Sequence, residues 1–373
     1  MENFKTLGVK ADFIKGLNDL GIISPTEIQQ QVIPLLLDGN TDLVGQAQTG
    51  TGKTAAFGLP LLDKIDPKKD YVQGLILCPT RELGQQVAKQ LFRYTKYSYK
   101  IFTESVYGGE KIDKQIANLK RTTHIVVATP GRLIDLVNRK AVDLSKVKTV
   151  ILDEADEMLS MGFKKELDEI LSFLPEAQSK WLFSATMPQG IKQIVNEHLS
   201  TSAHRITGIG INVVNSKIEH KFVHCEDTEK FHVLLQFLNS VKEQRGIVFC
   251  RTRNTAKKVA SQLIAKNVAA DAIHGDLLQK ERDKVMRAFK NEKLSIIVAT
   301  DIAARGIDVA DLTFVVHFQL PDQDEYYTHR SGRTARAGKE GVSLVLANGY
   351  DVRTIREYEK NLKISFAKIK VIR

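Results

Sequence analysis

The sequence predicts two α/β domains in tandem, each built on a parallel sheet that helices cover. At 373 residues the chain is long for a single core. Short apolar runs alternate with amphipathic stretches along both halves, which is typical of parallel sheets. Between the halves, TGIGINVVNSK has two glycines, two asparagines and no helical periodicity, as linkers often do. We expect a first domain at 1–207, a linker at 208–216 and a second domain at 217–373.

Eleven apolar runs have the length and composition of strands. In the first half they occupy 41–45, 74–80, 101–109, 124–131, 147–156 and 180–186; in the second they occupy 246–252, 271–276, 294–301, 313–321 and 341–347. Amphipathic stretches such as 81–96 and 162–174 lie between them and predict helices. Nearly every run ends in a polar cluster. Because ligands of open parallel sheets bind beyond the carboxyl ends of the strands, we expect the chemistry at those ends.

Bulk composition narrows the functional class. The net charge is +10, and residues 209–373 carry 28 Lys and Arg against 20 Asp and Glu. A basic second half fits a polyanionic partner, although a solvated basic surface explains the charge equally well. No apolar run approaches the roughly 18 residues of a membrane span, and the first residues lack the pattern of a secretory signal. Three cysteines without close spacing argue against disulfides and CxxC metal sites. We therefore expect a cytoplasmic protein without a membrane partner.

The segment GQAQTGTGKTAAF at 45–57 follows an expected strand and opens an expected helix. Glycines at 50 and 52 let backbone N–H groups surround a phosphate chain, and the helix N-terminus adds partial positive charge. Lys53 would reach the terminal phosphates, and the Thr54 hydroxyl would bind Mg²⁺. Ala47 stands where the P-loop pattern has its first glycine. A glycine-rich turn with a fortuitous lysine is the alternative, which the strand–loop–helix context makes unfavourable.

A second apolar run, in VILDEADEML at 150–159, ends in four carboxylates within five positions. A nucleoside triphosphate with Mg²⁺ needs one carboxylate to hold the metal's water shell and another near the attacking water. Asp153 suits the first task and Glu154 the second, and the cation would offset their repulsion. An acidic helix start stabilised by the helix dipole is the alternative for Asp156 and Glu157.

The motifs together resemble the DEAD-box RNA helicases of superfamily 2 over essentially the whole chain. Eleven motifs stand in the family's order: PTEIQ (25–29), AQTGTGKT (47–54), PTREL (79–83), GG (108–109), TPGR (129–132), DEAD (153–156), SAT (184–186), VFCRT (248–252), HGDLLQKER (274–282), ATDIAARGID (299–308) and HRSGRTARAG (329–338). The resemblance implies that both domains are RecA-like and that the cofactors are ATP and Mg²⁺.

The resemblance also assigns the nucleotide site. It implies that Gln29 reads the adenine edge and that Phe4 stacks on the base; from the residues alone, Phe4 would be a core residue and Gln29 a helix-surface residue. The phosphate-loop positions it implies are Thr49, Gly50, Thr51, Gly52, Lys53 and Thr54. Asp308 resembles a ribose contact.

The second half supplies basic residues for catalysis. Arg330, Arg333 and Arg336 are three residues apart, a spacing that predicts one face of a helix. The resemblance makes Arg333 and Arg336 arginine fingers on the γ-phosphate, which planar guanidinium groups stabilise well. A solvated basic helix is the alternative. Ala335 stands where many relatives have glycine.

The remaining motif positions imply RNA binding and coupling. The expected backbone contacts to RNA in the first domain are Pro79, Thr80, Arg81, Gly108, Gly109, Thr129, Pro130, Gly131 and Arg132. In the second domain they are Arg251, Thr252, Gly275, Gln279, Arg282, Thr300, Asp301, Arg305 and Gly306. Taken singly, such glycines and threonines are turn and cap residues at least as often as ligands. The residues implied in coupling nucleotide to strand separation are Asp156, Ser184, Thr186 and His329.

The expected function is an ATP-dependent RNA helicase, acting on single-stranded and short duplex RNA without reading sequence. A phosphate loop in one half and arginine fingers in the other predict that ATP closes the two domains. We expect a monomeric core that melts short duplexes locally, since Asp156 replaces the histidine of translocating relatives. Two alternatives stay open: a superfamily-2 DNA helicase, and an ATP-gated RNA clamp that serves as a scaffold with little unwinding. The chain ends soon after the second domain, as a minimal core or a truncated protein would.

Overall fold

The structure, a computed structural model, describes residues 3–48, 50–207, 217–242, 244–304, 312–335 and 339–370. The chain separates into two compact units, Met1–Ile211 and Asn212–Arg373. The predicted linker at 208–216 lies outside the described residues, so the predicted domain boundaries stay predictions. The same holds for five predicted site residues, which are Thr49, Arg305, Gly306, Asp308 and Arg336.

The first unit alternates strands and helices, as its apolar runs predict. Its strands are β1 (Leu43–Gln46), β2 (Gly74–Leu77), β3 (Thr103–Val106), β4 (Ile125–Ala128), β5 (Thr149–Leu152), β6 (Ser179–Ser184) and β7 (His204–Thr207). Its helices are α1 (Ala11–Asn18), α2 (Glu27–Asp38), α3 (Lys53–Lys64), α4 (Arg81–Tyr94), α5 (Ile112–Leu119), α6 (Pro130–Asn138), α7 (Ala155–Ser160), α8 (Lys164–Ser172) and α9 (Gln189–His198).

The second unit repeats the pattern. Its strands are β8 (Ile218–His224), β9 (Gly246–Phe249), β10 (Ala270–Ile273), β11 (Ile296–Ala299), β12 (Phe314–His317), β13 (Gly341–Ala347) and β14 (Ala367–Lys368). Its helices are α10 (Lys230–Ser240), α11 (Arg253–Ile264), α12 (Gln279–Lys290), α13 (Asp301–Ala304), α14 (Asp324–Ser331) and α15 (Gly349–Leu362). None of the helices among the described residues has both the length and the apolar content needed to cross a bilayer.

Both sheets have seven strands, and the strand pairs of each are parallel. The first runs β3-β4-β2-β5-β6-β1-β7 and the second β10-β11-β9-β12-β13-β8-β14. Numbered from the start of each unit, the two orders are identical. This confirms the predicted fold class of two tandem parallel α/β domains of RecA-like type. Each of the eleven predicted runs overlaps a strand, whereas the sequence analysis missed β7, β8 and β14.

Strand residues alternate between two apolar layers in each unit. In β2, Ile76 belongs to the layer beneath α1 to α4, while Leu75 and Leu77 face the layer beneath α6 to α9. In β9, Val248 and Phe249 likewise point to opposite layers. Because both faces are buried, the strands read as continuous apolar runs. Polar groups are left to the strand ends, where the candidate sites lie.

Candidate nucleotide site and RNA interface

The phosphate loop runs from the end of β1 to the start of α3. Gly50 and Gly52 have φ of 83° and 93°, in the left-handed region that glycine adopts without strain. Lys53, the first residue of α3, is buried, and its Nζ donates to the Ala47 carbonyl at 2.9 Å. Thr54 follows in the same helical turn. The lysine ammonium therefore lies within the loop that would surround phosphates.

Gln29 joins α2 to this loop. Its Nε2 donates to the Gly52 carbonyl at 3.0 Å, and its Oε1 accepts from the Thr26 backbone N–H at 2.9 Å. The Thr26 hydroxyl donates to the Thr51 carbonyl at 2.8 Å. Gln29 is 2% exposed, so it is not the helix-surface residue that its local sequence indicates. Adenine recognition by this side chain stays a prediction.

Phe4 packs in the hydrophobic core of the first unit and is 2% exposed. This is the placement that the residues alone predict, a ring that anchors the N-terminal segment. The stacking role that the family resemblance implies stays a prediction.

The four carboxylates after β5 are all buried rather than presented on an exposed helix start. Asp153 is 3%, Glu154 9%, Asp156 6% and Glu157 7% exposed. Burial raises the pKa of Asp153 to about 7; the Lys53 ammonium acts against this shift and the Glu154 carboxylate adds to it. Uncompensated negative charge at Asp153 is therefore unfavourable in the protein alone.

Glu154 has an unusual backbone. Its φ and ψ are both 51°, in the left-handed region that residues other than glycine seldom adopt. Glu154 takes this conformation at the N-cap of α7, between β5 and the helix. A strained backbone of this kind persists only where the surrounding structure holds it in place. Such residues cluster at functional sites.

Asp156 connects the carboxylate segment to the segment after β6. Its Oδ2 accepts from the backbone N–H and the hydroxyl of Thr186, both at 2.8 Å. The Ser184 hydroxyl donates to the Thr186 carbonyl at 2.7 Å, and the Ser184 carbonyl accepts from the Ala47 N–H at 2.9 Å. The predicted coupling residues of the first domain thus form one chain of contacts from the acidic segment to the phosphate loop.

The predicted RNA contacts of the first domain follow β2, β3 and β4, which are adjacent in the sheet. The predicted nucleotide residues follow β1, β5 and β6, which form the other half. The structure therefore separates the two predicted sites along one edge of the sheet. We call the half with the predicted RNA contacts the RNA side. Its residues are Pro79, Thr80 and Arg81 after β2, Gly108 and Gly109 after β3, and Thr129, Pro130, Gly131 and Arg132 after β4.

Gln115 of α5 holds the RNA side together, and the sequence analysis missed it. It is 1% exposed; its Nε2 donates to the Tyr107 carbonyl at 3.0 Å, and its Oε1 accepts from Arg132 Nη1 at 2.9 Å. Arg132 Nη2 also donates to the Glu110 carbonyl at 3.1 Å. The Arg81 guanidinium lies 4.5 Å from the Tyr107 ring centroid. A lone glutamine in an amphipathic helix has no sequence signature that marks this role.

The second unit repeats the arrangement on the adjacent strands β10, β11 and β9. The predicted RNA contacts that the structure describes are Arg251 and Thr252 after β9, Gly275 after β10, Gln279 and Arg282 in α12, and Thr300 and Asp301 after β11. Thr252 is the N-cap of α11 and accepts from the Thr255 N–H at 3.1 Å. The cap uses only the side-chain oxygen of Thr252, so it is compatible with a role of this residue in RNA binding.

Asp301 is engaged within the protein. Its carboxylate oxygens accept from Nε and Nη2 of Arg330 at 2.6 and 2.8 Å, and Arg330 Nη1 donates to the Gln319 carbonyl at 2.8 Å. Arg330 is 2% exposed. This paired, buried arginine orients α14 against β11 and is not a solvated basic group.

The predicted shared helix face for the arginines is wrong. Helix α14 includes His329 and Arg330 but ends at Ser331, and Arg333 lies in the turn beyond it, with its N–H donating to the Arg330 carbonyl at 3.1 Å. Gly332 caps the helix, and this break redirects the chain. Arg333 is buried; its role and that of Arg336 stay predictions.

The residues of the first unit fit a bound magnesium ion. Asp153 Oδ1 is a buried carboxylate oxygen with no hydrogen-bond partner among the described residues. Unpartnered buried oxygens of this kind are costly, and hard cations such as Mg²⁺ prefer oxygen ligands. Burial raises the pKa of Asp153, and a bound cation would act against that shift by stabilising the carboxylate.

Comparison with known proteins relates both units to helicases. Residues 26–194 match the DEAD/DEAH box helicase family, and residues 229–338 match the helicase conserved C-terminal domain. The chain is 41% identical over 363 residues to the DEAD-box ATP-dependent RNA helicase CshA of Bacillus cereus, an alignment covering 97% of this chain and 69% of that protein.

Solved structures resemble the chain over nearly its whole length. S. cerevisiae Dbp5 bound to RNA and ADP BeF3 superposes with a TM-score of 0.90 at 28% identity, covering 100% of this chain and 96% of Dbp5. A DEAD box protein from the hyperthermophile Methanococcus jannaschii is 39% identical, with a TM-score of 0.58 and 99% of each chain covered.

Proposed function

Because the chain belongs to the DEAD/DEAH box helicase family, we propose that it works as an ATP-dependent RNA helicase through the residues described above. The observation that carries this proposal is the division of the first sheet edge. The phosphate loop and the acidic segment lie on one half, joined through Thr186, and the backbone-binding segments lie on the other. An enzyme that couples ATP hydrolysis to RNA binding needs these two sites on one rigid scaffold.

ATP binds with its phosphates in the loop at 47–54, and Lys53 contacts the terminal phosphates. Asp153 and Thr54 would hold Mg²⁺, which would supply positive charge against the phosphate oxygens when bound. Glu154 is the general base that orients the attacking water and takes its proton. Arg333 and Arg336 of the second domain stabilise the charge that builds on the transferring phosphoryl group, which requires the domains to close on ATP.

RNA binds through its sugar–phosphate backbone, because glycines, backbone amides and arginines at strand ends recognise phosphates without reading bases. Contacts to 2′-hydroxyl groups select RNA over DNA. The contact chain from Asp156 through Thr186 and Ser184 to Ala47 links the acidic segment to the phosphate loop, so that both respond to the state of the nucleotide. Local melting of short duplexes follows, in a protein that acts as a monomer in the cytoplasm.

The test is steady-state ATP hydrolysis without nucleic acid, with single-stranded RNA and with DNA of the same sequence, all at one stated ionic strength. Stimulation by RNA alone is the expected result. Equal stimulation by DNA would favour a DNA helicase. RNA stimulation without separation of a short duplex in a parallel strand-displacement assay would favour an ATP-gated clamp.

A further inference from the structure

The last turn of α4 and the segment between α4 and β3 carry an exposed aromatic surface. Four rings are exposed within eleven residues: Phe92 at 73%, Tyr97 at 44%, Tyr99 at 80% and Phe102 at 48%. Soluble proteins seldom expose several large rings together unless the surface binds a partner. We name residues 92–102 the α4 platform.

The same part of the chain is uniformly basic. Residues 83–103 contain four Lys and Arg and no Asp or Glu. Three of the four, Lys89, Arg93 and Lys100, are exposed and form no ion pair with any carboxylate in the described part of the chain. Exposed rings beside unpaired cations are the composition with which proteins bind single-stranded nucleic acid, since bases stack on the rings and phosphates meet the cations.

The α4 platform is held in place before any partner arrives. Asp19 accepts from Lys96 Nζ and, at 2.9 Å, from the Tyr97 hydroxyl. Gly16 of α1 packs so closely on the end of α4 that a Cβ there would lie 2.6 Å from the Tyr94 carbonyl oxygen. A preorganised surface loses little conformational entropy on binding, which favours affinity.

Helix α4 connects the α4 platform to the candidate RNA interface. It begins at Arg81, beside the Tyr107 ring, and its 14 residues span roughly 20 Å. Arg81, Gln85, Lys89 and Phe92 are spaced by three or four residues and so lie on one face of the helix. Gln85, Lys89 and Phe92 are exposed. A polar and basic track therefore leads from one end of the helix to the other.

We propose that the α4 platform is a second RNA-binding site, which takes a single-stranded part of the same RNA that the strand-end segments hold. The proposal rests on the proposed function, because it assumes that the substrate is RNA. The chemistry favours RNA over a protein partner, since the surface combines exposed rings with three unpaired cations, and the neighbouring Asp19 carboxylate is already bonded to Lys96 and Tyr97. Long RNAs would thereby bind more tightly than short ones.

The experiment compares the full-length protein with a Phe92→Ala/Tyr99→Ala double variant. RNA affinity is measured by fluorescence anisotropy with a short oligouridylate that covers only the strand-end site and with a long one. The variant should bind the long RNA about 10-fold more weakly, because each stacked base contributes appreciably, and should bind the short RNA normally. Tyr350→Ala, which removes an 88% exposed ring in α15, is the matched control and should change neither affinity.

A second arm tests the cations. An Arg93→Gln/Lys100→Gln variant should reduce the slope of log affinity against log salt by about 1.4 for the long RNA only. Unchanged long-RNA affinity in the aromatic variant would overturn the proposal and assign the surface to a protein contact. The proposed function fails separately, if the unmodified protein shows no RNA-stimulated ATP hydrolysis with the short RNA.

Discussion

At the scale of single residues, six non-glycine residues in the described part of the chain have a positive φ, and two of them stand in predicted motifs. Glu154 has φ 51° between β5 and α7, and Ala335 has φ 55° after α14. For each such residue, the left-handed backbone raises the conformational energy by roughly 1–2 kcal/mol relative to the right-handed one. At Ala335 this explains why glycine suits the family position, so the departure noted in the sequence introduces local strain. At Glu154 the strained residue is the one predicted to act as the general base.

Replacing Glu154 with glutamine tests its role as the base. The substitution keeps the size and burial of the side chain but removes its ability to accept a proton. We expect kcat for RNA-stimulated ATP hydrolysis to fall about 10²-fold to 10⁴-fold, while ATP affinity changes little. Glu169→Gln, at an exposed position of α8, is the control and should behave as the unmodified protein. Hydrolysis at the original rate in Glu154→Gln would exclude this residue as the base.

At the scale of secondary-structure elements, the RNA side of the first unit depends on α5. Strands β3 and β4 end in separate loops, and Gln115 bonds to both of them. Because Gln115 is nearly inaccessible to solvent, it would position the predicted RNA contacts without reaching RNA itself. Loss of its side chain would leave the Tyr107 carbonyl and one Arg132 N–H without these partners, which is costly for buried polar groups.

A Gln115→Leu variant should therefore bind RNA about 10-fold more weakly, whereas its ATP affinity without RNA should be unchanged. Filter binding measures the first quantity and a fluorescent nucleotide titration the second. Asn118→Ala, one turn further along α5, removes a bond to Glu104 that lies outside the RNA contacts and serves as the control. A loss of nucleotide affinity equal to the loss of RNA affinity would indicate general destabilisation instead.

At the scale of the whole molecule, two units share one strand order but differ in their interiors. The second contains a buried polar network in which His220 bonds to Tyr327, and Ser343 bonds to Tyr327, His317 and Ser331. Burial lowers the pKa of His220 to about 4 and that of His317 well below its usual value. Both imidazoles are neutral in the folded unit at neutral pH.

The second unit should therefore be sensitive to acid. Above about pH 6.5 His220 is neutral in both folded and unfolded chains and contributes no pH dependence. Between about pH 6.5 and pH 4 only the unfolded chain binds its proton, so the free energy of unfolding should fall as pH falls, by about 3 kcal/mol for this group. His220→Phe should flatten this dependence, with His317 leaving a residual slope.

Hydrogen exchange on peptides of the second unit measures this dependence, while the single tryptophan, Trp181, reports on the first unit. His204→Phe, at an exposed position of the first unit, is the control. An unchanged pH dependence in His220→Phe would show that this histidine is not responsible.

Sequence reasoning succeeded where a local pattern has one physical meaning. Buried parallel strands must be apolar throughout, so eleven runs predicted strands. It missed β7, which is largely exposed, β14, which has two residues, and β8, in which charged residues and histidines interrupt the apolar ones. Helical spacing misplaced Arg333, because three-residue periodicity continues in sequence while the chain leaves the helix at Gly332.

The sequence by itself determined the family and the doubled α/β architecture, and it predicted the positions of the sites, since these follow from short motifs and from hydrophobic pattern. Only the tertiary structure decided which of those positions meet. Strand order places the acidic segment, the segment after β6 and the phosphate loop on one half of the sheet, and the segments predicted to bind RNA on the other half. The tertiary structure also revealed the buried contacts of Gln115 and the exposed rings of the α4 platform. Contacts between residues distant in sequence depend on how the helices and strands pack together. A short local pattern of residue types carries no information about that packing.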